Sequence, residues 1–406
     1  MTMKMISATT LEKENGYMGD GDGSVYVLAL QEALDTATFV REALEDTSIR
    51  ASAWDGGDAP TLGLRQGEPA LVVDLSGLGY DPATGDPNND GGLVAADNDS
   101  VVIASAIGAA AVGTGTTCAA GWTTTSGDVD SAAGLAAGRM VMIASGDKYV
   151  AAAIADITGS TVTLATPLPV APVLGAVLYA GITYTPQASP RDTYILEHHM
   201  DNDEIAFRAR GVHMVPEFAN LGAAEGKARL TLPCTVGDWE RISSSLDTID
   251  PPDTFVNPGI VQDDGYFVLT DGTNAVACLA STMTMSNLLA PMRRADACKA
   301  NTVGEPEIIP SMDKQVVCEV WQASGATGDP MEQLLEWWES GEKLKLMYQV
   351  GPTPCESVAF YFPAVCLIQE PTLVDKGGIM AVSCTMKITL DRASEVFTRP
   401  WYFARF

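Results

Sequence analysis

Basic side chains are scarce in this chain: 24 Lys and Arg stand against 52 Asp and Glu in 406 residues, a formal net charge of −28. A protein that grips nucleic acid displaces counterions with a basic footprint, and no Lys/Arg run is present, so sequence-reading DNA binding is not expected. Histidine is scarcer still, with His198, His199 and His213 the whole supply. The eight cysteines form no CxxC pair and no zinc-ligand spacing. GxSxG elbows, Walker loops and HExxH are all missing. No apolar run reaches the length of a membrane span, and the opening MTMKMISATT lacks the continuous apolar region of a signal peptide. These absences speak against an enzyme, a bound cofactor and a membrane partner.

What is abundant points to β structure. Glycine (38) and proline (23) punctuate a chain that is 46% hydrophobic, which suits short strands and many turns around real cores. The length allows two or three domains. The acidic excess is concentrated early, with 18 acidic and 5 basic side chains in the first hundred residues. Like charges on this scale keep a chain soluble and restrain self-association.

Cys118, Cys234, Cys278, Cys298, Cys318, Cys355, Cys366 and Cys384 are scattered, and several sit inside apolar alternation, as in the series Met380, Val382, Cys384, Met386, Ile388. They read as small buried hydrophobes in a reducing compartment. His198 and His199 stand beside Asp201 and Asp203 in EHHMDND, but adjacent strand residues point to opposite faces, and MDND reads as a turn. One loop has a partial metal pattern. Asp86, Asn88, Asp90, Gly91 and Asp97 match the first, third, fifth, sixth and twelfth positions of an EF-hand calcium loop, yet Pro87 and Val94 depart from it and no helix precedes it. A plain turn is the simpler reading.

Along the chain, residues 1–24 read as a polar N-terminal arm, and Val25 to Asp46 as a strand followed by a helix or as one helix. A strand is expected over Pro69 to Ser76 and a helix over Asp99 to Val112, with Asp99 as N-cap and Gly113 beyond its end. Residues 121–180 read as an inserted small β module, with strands at Met140 to Ala144, Tyr149 to Ile157 and Thr161 to Ala165. Two period-two segments, from Ile205 and from Ala228 to Val236, frame a hairpin around GVHMVPEFANLGAAEG, whose Met214, Val215, Phe218 and Leu221 are candidates for contact with a neighbouring subunit. DPMEQLLEWWESG signals a helix that should cover a sheet, from Asp329 as N-cap to a stop at Gly341. Residues 392–406 form a tail in which Phe397, Trp401, Tyr402, Phe403 and Phe406 are too aromatic to be free, so the tail docks on its own domain or on a partner, and Trp401, Tyr402 and Phe403 are further candidates for contact between subunits.

An ordered series of these segments resembles the tail tube proteins of tailed bacteriophages. EPALVVDLSGLG resembles that family's early strand and small-residue turn, DSVVIASAIGAA its short helix, and GITYTPQAS the segment after a variable insertion. AFRARGVHMVPEFANLGAAEGKARLTLPCTVGDW is similar to the central hairpin, and PTLVDKGGIMAVSCTMKITL to the closing one. The series covers roughly residues 60–391.

The resemblance implies a mainly β fold, an antiparallel β-sandwich or barrel of the tail-tube type over residues 25–120 and 181–391, with one covering helix and the inserted module. It further implies homo-hexameric rings stacked into a hollow conduit, other tail proteins as partners, and genomic DNA passing through without specific binding. The setting would be the virion, assembled in the host cytoplasm. The module and the aromatic tail go beyond the minimal pattern, which leaves open another ring-forming or decorating virion protein, such as a distal tail ring or head decoration. A carbohydrate-binding β module, with Trp122, Tyr149 and Tyr179 available, is a further alternative.

Overall fold

The structure is a computed structural model that describes residues 7–15, 18–28, 30, 34, 39–44, 61–78, 98–187, 192–200, 205–218, 221–222, 227–243, 260, 265–278, 281–286, 288–295, 303–310, 313–321, 330–375, 378 and 380–406. Of the described residues 56% lie in strands and 7% in two helices, and every strand pair is antiparallel. The fold is mainly β, as composition implied.

Three sheets lie in layers, and the middle one sets the pattern. It holds eleven strands, running Ala275–Cys278, Tyr266–Thr270, Leu344–Val350, Val358–Leu367, Met380–Ile388, Gln315–Trp321 and Ser281–Ser286, with Thr372–Asp375 beside Met380–Ile388. Tyr402–Arg405 pairs on one side with Val358–Leu367 and on the other with Ile182–Pro186, which continues to Gly108–Val112. Its middle strands are apolar with little alternation: VAFYFPAVCL is buried at nine of its ten positions and YFVLT at all five. A strand reads this way when both faces are covered.

Alternate side chains of this sheet do enter different cores. Phe267, Leu269, Leu346, Tyr348, Phe360, Phe362 and Phe403 join the core shared with a seven-stranded sheet. Tyr266, Val268, Met347, Ala359, Tyr361, Tyr402 and Ala404 join the core of the inserted module. The seven-stranded sheet runs Gly21–Leu28, Ser7–Glu14, Tyr194–Met200, Ile205–Met214, Arg229–Thr235 and Ala70–Asp74, with Asp238–Ser243 alongside Ile205–Met214. The module is a six-stranded sheet of Thr116–Thr117, Val177–Ala180, Met140–Ser145, Lys148–Thr158, Thr161–Leu164 and Ser126–Asp128. It therefore begins a few residues before the expected Gly121. Two small hairpins, Val40–Leu44 with Thr61–Gln66 and Leu289–Ala295 with Val303–Pro310, complete the described strands.

Several expectations need correction. Ser7–Glu14 is no arm: it pairs with both Tyr194–Met200 and Gly21–Leu28. Strand pairing is satisfied by backbone groups, so a polar segment joins a sheet when one residue, here the buried Leu11, reaches the core. The helix expected to reach Val112 spans only Asn98–Ile107. Gly108, at φ +133, turns the chain, and the alanines beyond it form a strand against Ile182–Pro186. Helix propensity there yields to tertiary pairing. In the segment 25–46 the structure shows strands Gly21–Leu28 and Val40–Leu44, which favours the strand-first reading, and most of the stretch on which the expected helix falls lies outside the described residues.

The expected hairpin is short: His213 pairs opposite Thr235 and Met214 opposite Cys234, and beyond them the contact continues as an isolated bridge between Glu217 and Thr231. A bulge is the cause. Between Leu196–Ala209 and Tyr194–Val212 the register slips, with Gly211 at φ +62 and its amide donating to Glu14 Oε1 at 2.9 Å. Before the bulge the strand pairs with Asp238–Ser243, while Arg229–Thr235 turns to Ala70–Asp74.

The covering helix, Pro330–Ser340, is as expected. It buries Leu334 and Trp337, and Trp337 Nε1 donates to Asp271 Oδ2 at 3.0 Å. Gly341, at φ +66, stops it. Asp329 lies outside the described residues.

Candidate functional site

Met214, Val215, Phe218 and Leu221 are all buried in the chain's own main core. The Phe218 ring meets Phe360 edge-on at 4.9 Å and lies 5.5 Å from Phe403. Leu221 and Met283 exchange backbone hydrogen bonds of 2.9 and 2.8 Å, and the Tyr348 hydroxyl donates to Leu221 O at 2.9 Å. The expected subunit-contact role of these four residues is corrected: the loop is a plug between two sheets, and its apolar side chains are already covered.

The same correction applies to Trp401, Tyr402 and Phe403. Tyr402 and Phe403 belong to the strand that completes the central sheet, Trp401 directly precedes it, and all three are buried. Of the two dockings open to the tail, the structure shows the one on its own domain. Arg405 anchors it, fully buried, donating from Nε to Ser76 O at 2.8 Å and from one terminal nitrogen to Ser76 Oγ at 2.8 Å and Gly77 O at 2.9 Å. Asp86, Asn88, Asp90 and Asp97 lie outside the described residues.

The paired histidines do point to opposite faces. His198 Nδ1 is 2.9 Å from Thr9 Oγ1, while His199 Nε2 is 3.1 Å from Glu197 Oε2. Glu197 also accepts from Arg208 Nε at 2.5 Å. The hydrogen bond from His199, opposed by burial and aided by Arg208, holds the Glu197 carboxyl below its usual range. Burial, with His199 alongside, holds His198 below the ordinary histidine value. These contacts are local and structural, and among the described residues no group of three or more His, Cys, Asp or Glu is placed to hold a metal ion.

Six of the seven described cysteines are buried and all seven are free thiols. Cys318 and Cys384 face each other across neighbouring strands. Burial pushes Cys384 up to about 12, so these thiols are poor nucleophiles. Among the described residues no helix is long and apolar enough to cross a membrane.

The surface features that stand out are sheet edges. Among the described residues Thr372–Asp375 pairs only with Met380–Ile388, and none of them covers its outer edge. Leu373 (52% exposed) and Met380 (42%) lie diagonally on one face of that hairpin, since Leu373 faces Val382 and Asp375 faces Met380. Ile368 and Leu390, at either end of the same segment, are exposed as well. A second edge without a strand partner among the described residues belongs to Gly21–Leu28 in the other sheet, where Val25 is exposed. The sequence does not mark these residues, because edge status depends on which strands pair. The single signal was the turn itself, where Asp375 Oδ1 accepts from Gly378 N at 2.6 Å.

In comparison with known proteins, no family model matches the chain and no curated protein is significantly similar to it.

Proposed function

We propose that this chain is a structural subunit of a phage tail tube, assembling through its sheet edges into rings that stack as a hollow conduit for DNA. The observation that carries this reading is that, among the described residues, two edges on two different sheets lack a strand partner and carry exposed aliphatic side chains, Leu373 and Met380 on one and Val25 on the other. Two unlike edges on one molecule favour head-to-tail association, which closes into a ring when the rotation permits. The ordered segments that resemble tail tube proteins supply the family, and a hexamer is the ring that the resemblance implies.

The charge fits the same reading. Double-stranded DNA carries about one phosphate charge per 1.7 Å of axis. A conduit of subunits each at −28 offers few sites to hold it, so DNA would slide. Partners are then other copies of the chain and other tail proteins, in the virion.

Negative-stain electron microscopy of the purified chain at rising concentration and salt tests the proposal. Hollow tubes of uniform width are the expected result. Closed rings that never stack would assign the chain to another virion component, and a monomer under every condition would overturn the assembly reading.

A further inference from the structure

Between the module and the central sheet lies a cleft of about 420 Å³, lined by residues that include Asp147, Lys148, Tyr149, Tyr266 and Pro352. Its walls are fixed. The fully buried Gln349 accepts from Ala151 N at 2.7 Å and donates to Tyr149 O at 3.1 Å and Gly351 O at 2.8 Å, tying the module to the sheet beneath. Ser145 Oγ donates to Val170 O at 2.6 Å and accepts from Val170 N at 3.1 Å, which sets the opposite lip. Tyr149 is braced edge-on by Tyr179 at 5.7 Å.

Within this rigid frame some polar groups are unused. Tyr266 is only 5% exposed and lines the cleft, yet its hydroxyl has no hydrogen-bond partner among the described residues and is not sealed from the cleft. A buried hydroxyl without a partner is costly unless a ligand or water completes it. Asp147 and Lys148 line the same cleft and make no ion pair or side-chain hydrogen bond among the described residues.

We propose that this cleft binds a neutral sugar ring, with the Tyr149 ring against the C–H face and the Tyr266 hydroxyl, Asp147 and Lys148 hydrogen-bonding to ring hydroxyls. One cation and one anion together favour a ligand of no net charge. An aromatic ring beside prolines suits the apolar face of a pyranose, and the volume lies within the range of small-molecule sites. An anionic ligand would meet Asp147 and the field of a chain at −28. The inference does not rest on the tube reading, because assembly and sugar binding are measured separately.

Saturation-transfer NMR on the full chain, with methyl glucoside, methyl galactoside, methyl mannoside and N-acetylglucosamine as probes, tests it. At least one probe should receive saturation. Tyr266→Phe, which keeps the ring and removes the hydroxyl, should weaken it about tenfold with an unchanged melting midpoint. Tyr149→Ala should abolish the signal; where that variant is unfolded, Tyr266→Phe decides alone. No transfer to any probe, or transfer indifferent to Tyr266→Phe, overturns the proposal. Tighter binding of glucose 6-phosphate than of methyl glucoside overturns the ligand class.

Discussion

Arg405 shows how a single residue can hold a chain segment in place. Its guanidinium is fully buried and serves Ser76 and Gly77, more than three hundred positions away in sequence. Arg405→Leu leaves those acceptors unpaired inside the core, and a loss of about 3 kcal/mol or more is expected from urea unfolding. Lysine cannot reproduce the planar fork, so Arg405→Lys should recover little of it. A second expectation concerns pH. His198, with its folded value below the ordinary 6.5, is neutral in the fold where the unfolded chain already takes up a proton. Its contribution is complete above pH 6.5 and falls away as pH drops through the folded value. Glu197, also lowered, adds a loss of the same sign below its ordinary 4.5. Glu14 runs the other way: burial raises it, so its contribution is present below 4.5 and declines as pH rises through the raised value. Unfolding midpoints measured downward from pH 7.5 should fall below pH 6.5, and His198→Gln should flatten that first decline.

Among the elements, the loop after His213 changes most in meaning between sequence and structure. Its apolar residues were legible, and so was its length; its destination was not, because an apolar loop looks the same whether it covers a neighbour or plugs its own sandwich. Phe218→Ala is expected to cost about 3–5 kcal/mol, read by denaturant unfolding, as for any large core aromatic. A change under 1 kcal/mol would return the loop to the surface. Elements whose signals are local were read well. The Pro330–Ser340 helix has proline at its start, glycine at its stop and one apolar face, and the module strands at Met140 and Lys148 are bounded by a glycine turn. What failed depended on distant partners. Ala109 to Ala111 favour helix in isolation and become a strand only because Ile182–Pro186 is there to receive them. Ser7–Glu14 is polar enough for an arm and is a strand because Tyr194–Met200 lies beside it. The candidate contact residues failed for the same reason: free edges are defined by what does not pair with them, and no local pattern records that.

For the whole molecule, charge and edges act against each other. In the proposed tube, self-repulsion among copies at −28 opposes association at low ionic strength and is screened within about 8 Å at physiological salt. Light scattering should therefore show assembly rising with added salt. Leu373→Lys together with Met380→Lys, both on exposed positions of the open hairpin, should leave the melting midpoint nearly unchanged while preventing assembly. Assembly unaffected by that pair would move the interface elsewhere.

The placement of Tyr402–Arg405 inside the central sheet has a consequence for biosynthesis. Its two neighbours, Ile182–Pro186 and Val358–Leu367, are made earlier and must wait with a vacant slot between them until residues 402–405 leave the ribosome. A nascent chain therefore carries an open groove of unpaired backbone from the emergence of Val358–Leu367 until residues 402–405 follow, and only the arrival of this strand closes both cores at once. Translation order thereby imposes a check: a product cut short before Trp401 would keep that groove, and should be cleared by proteolysis or captured by chaperones.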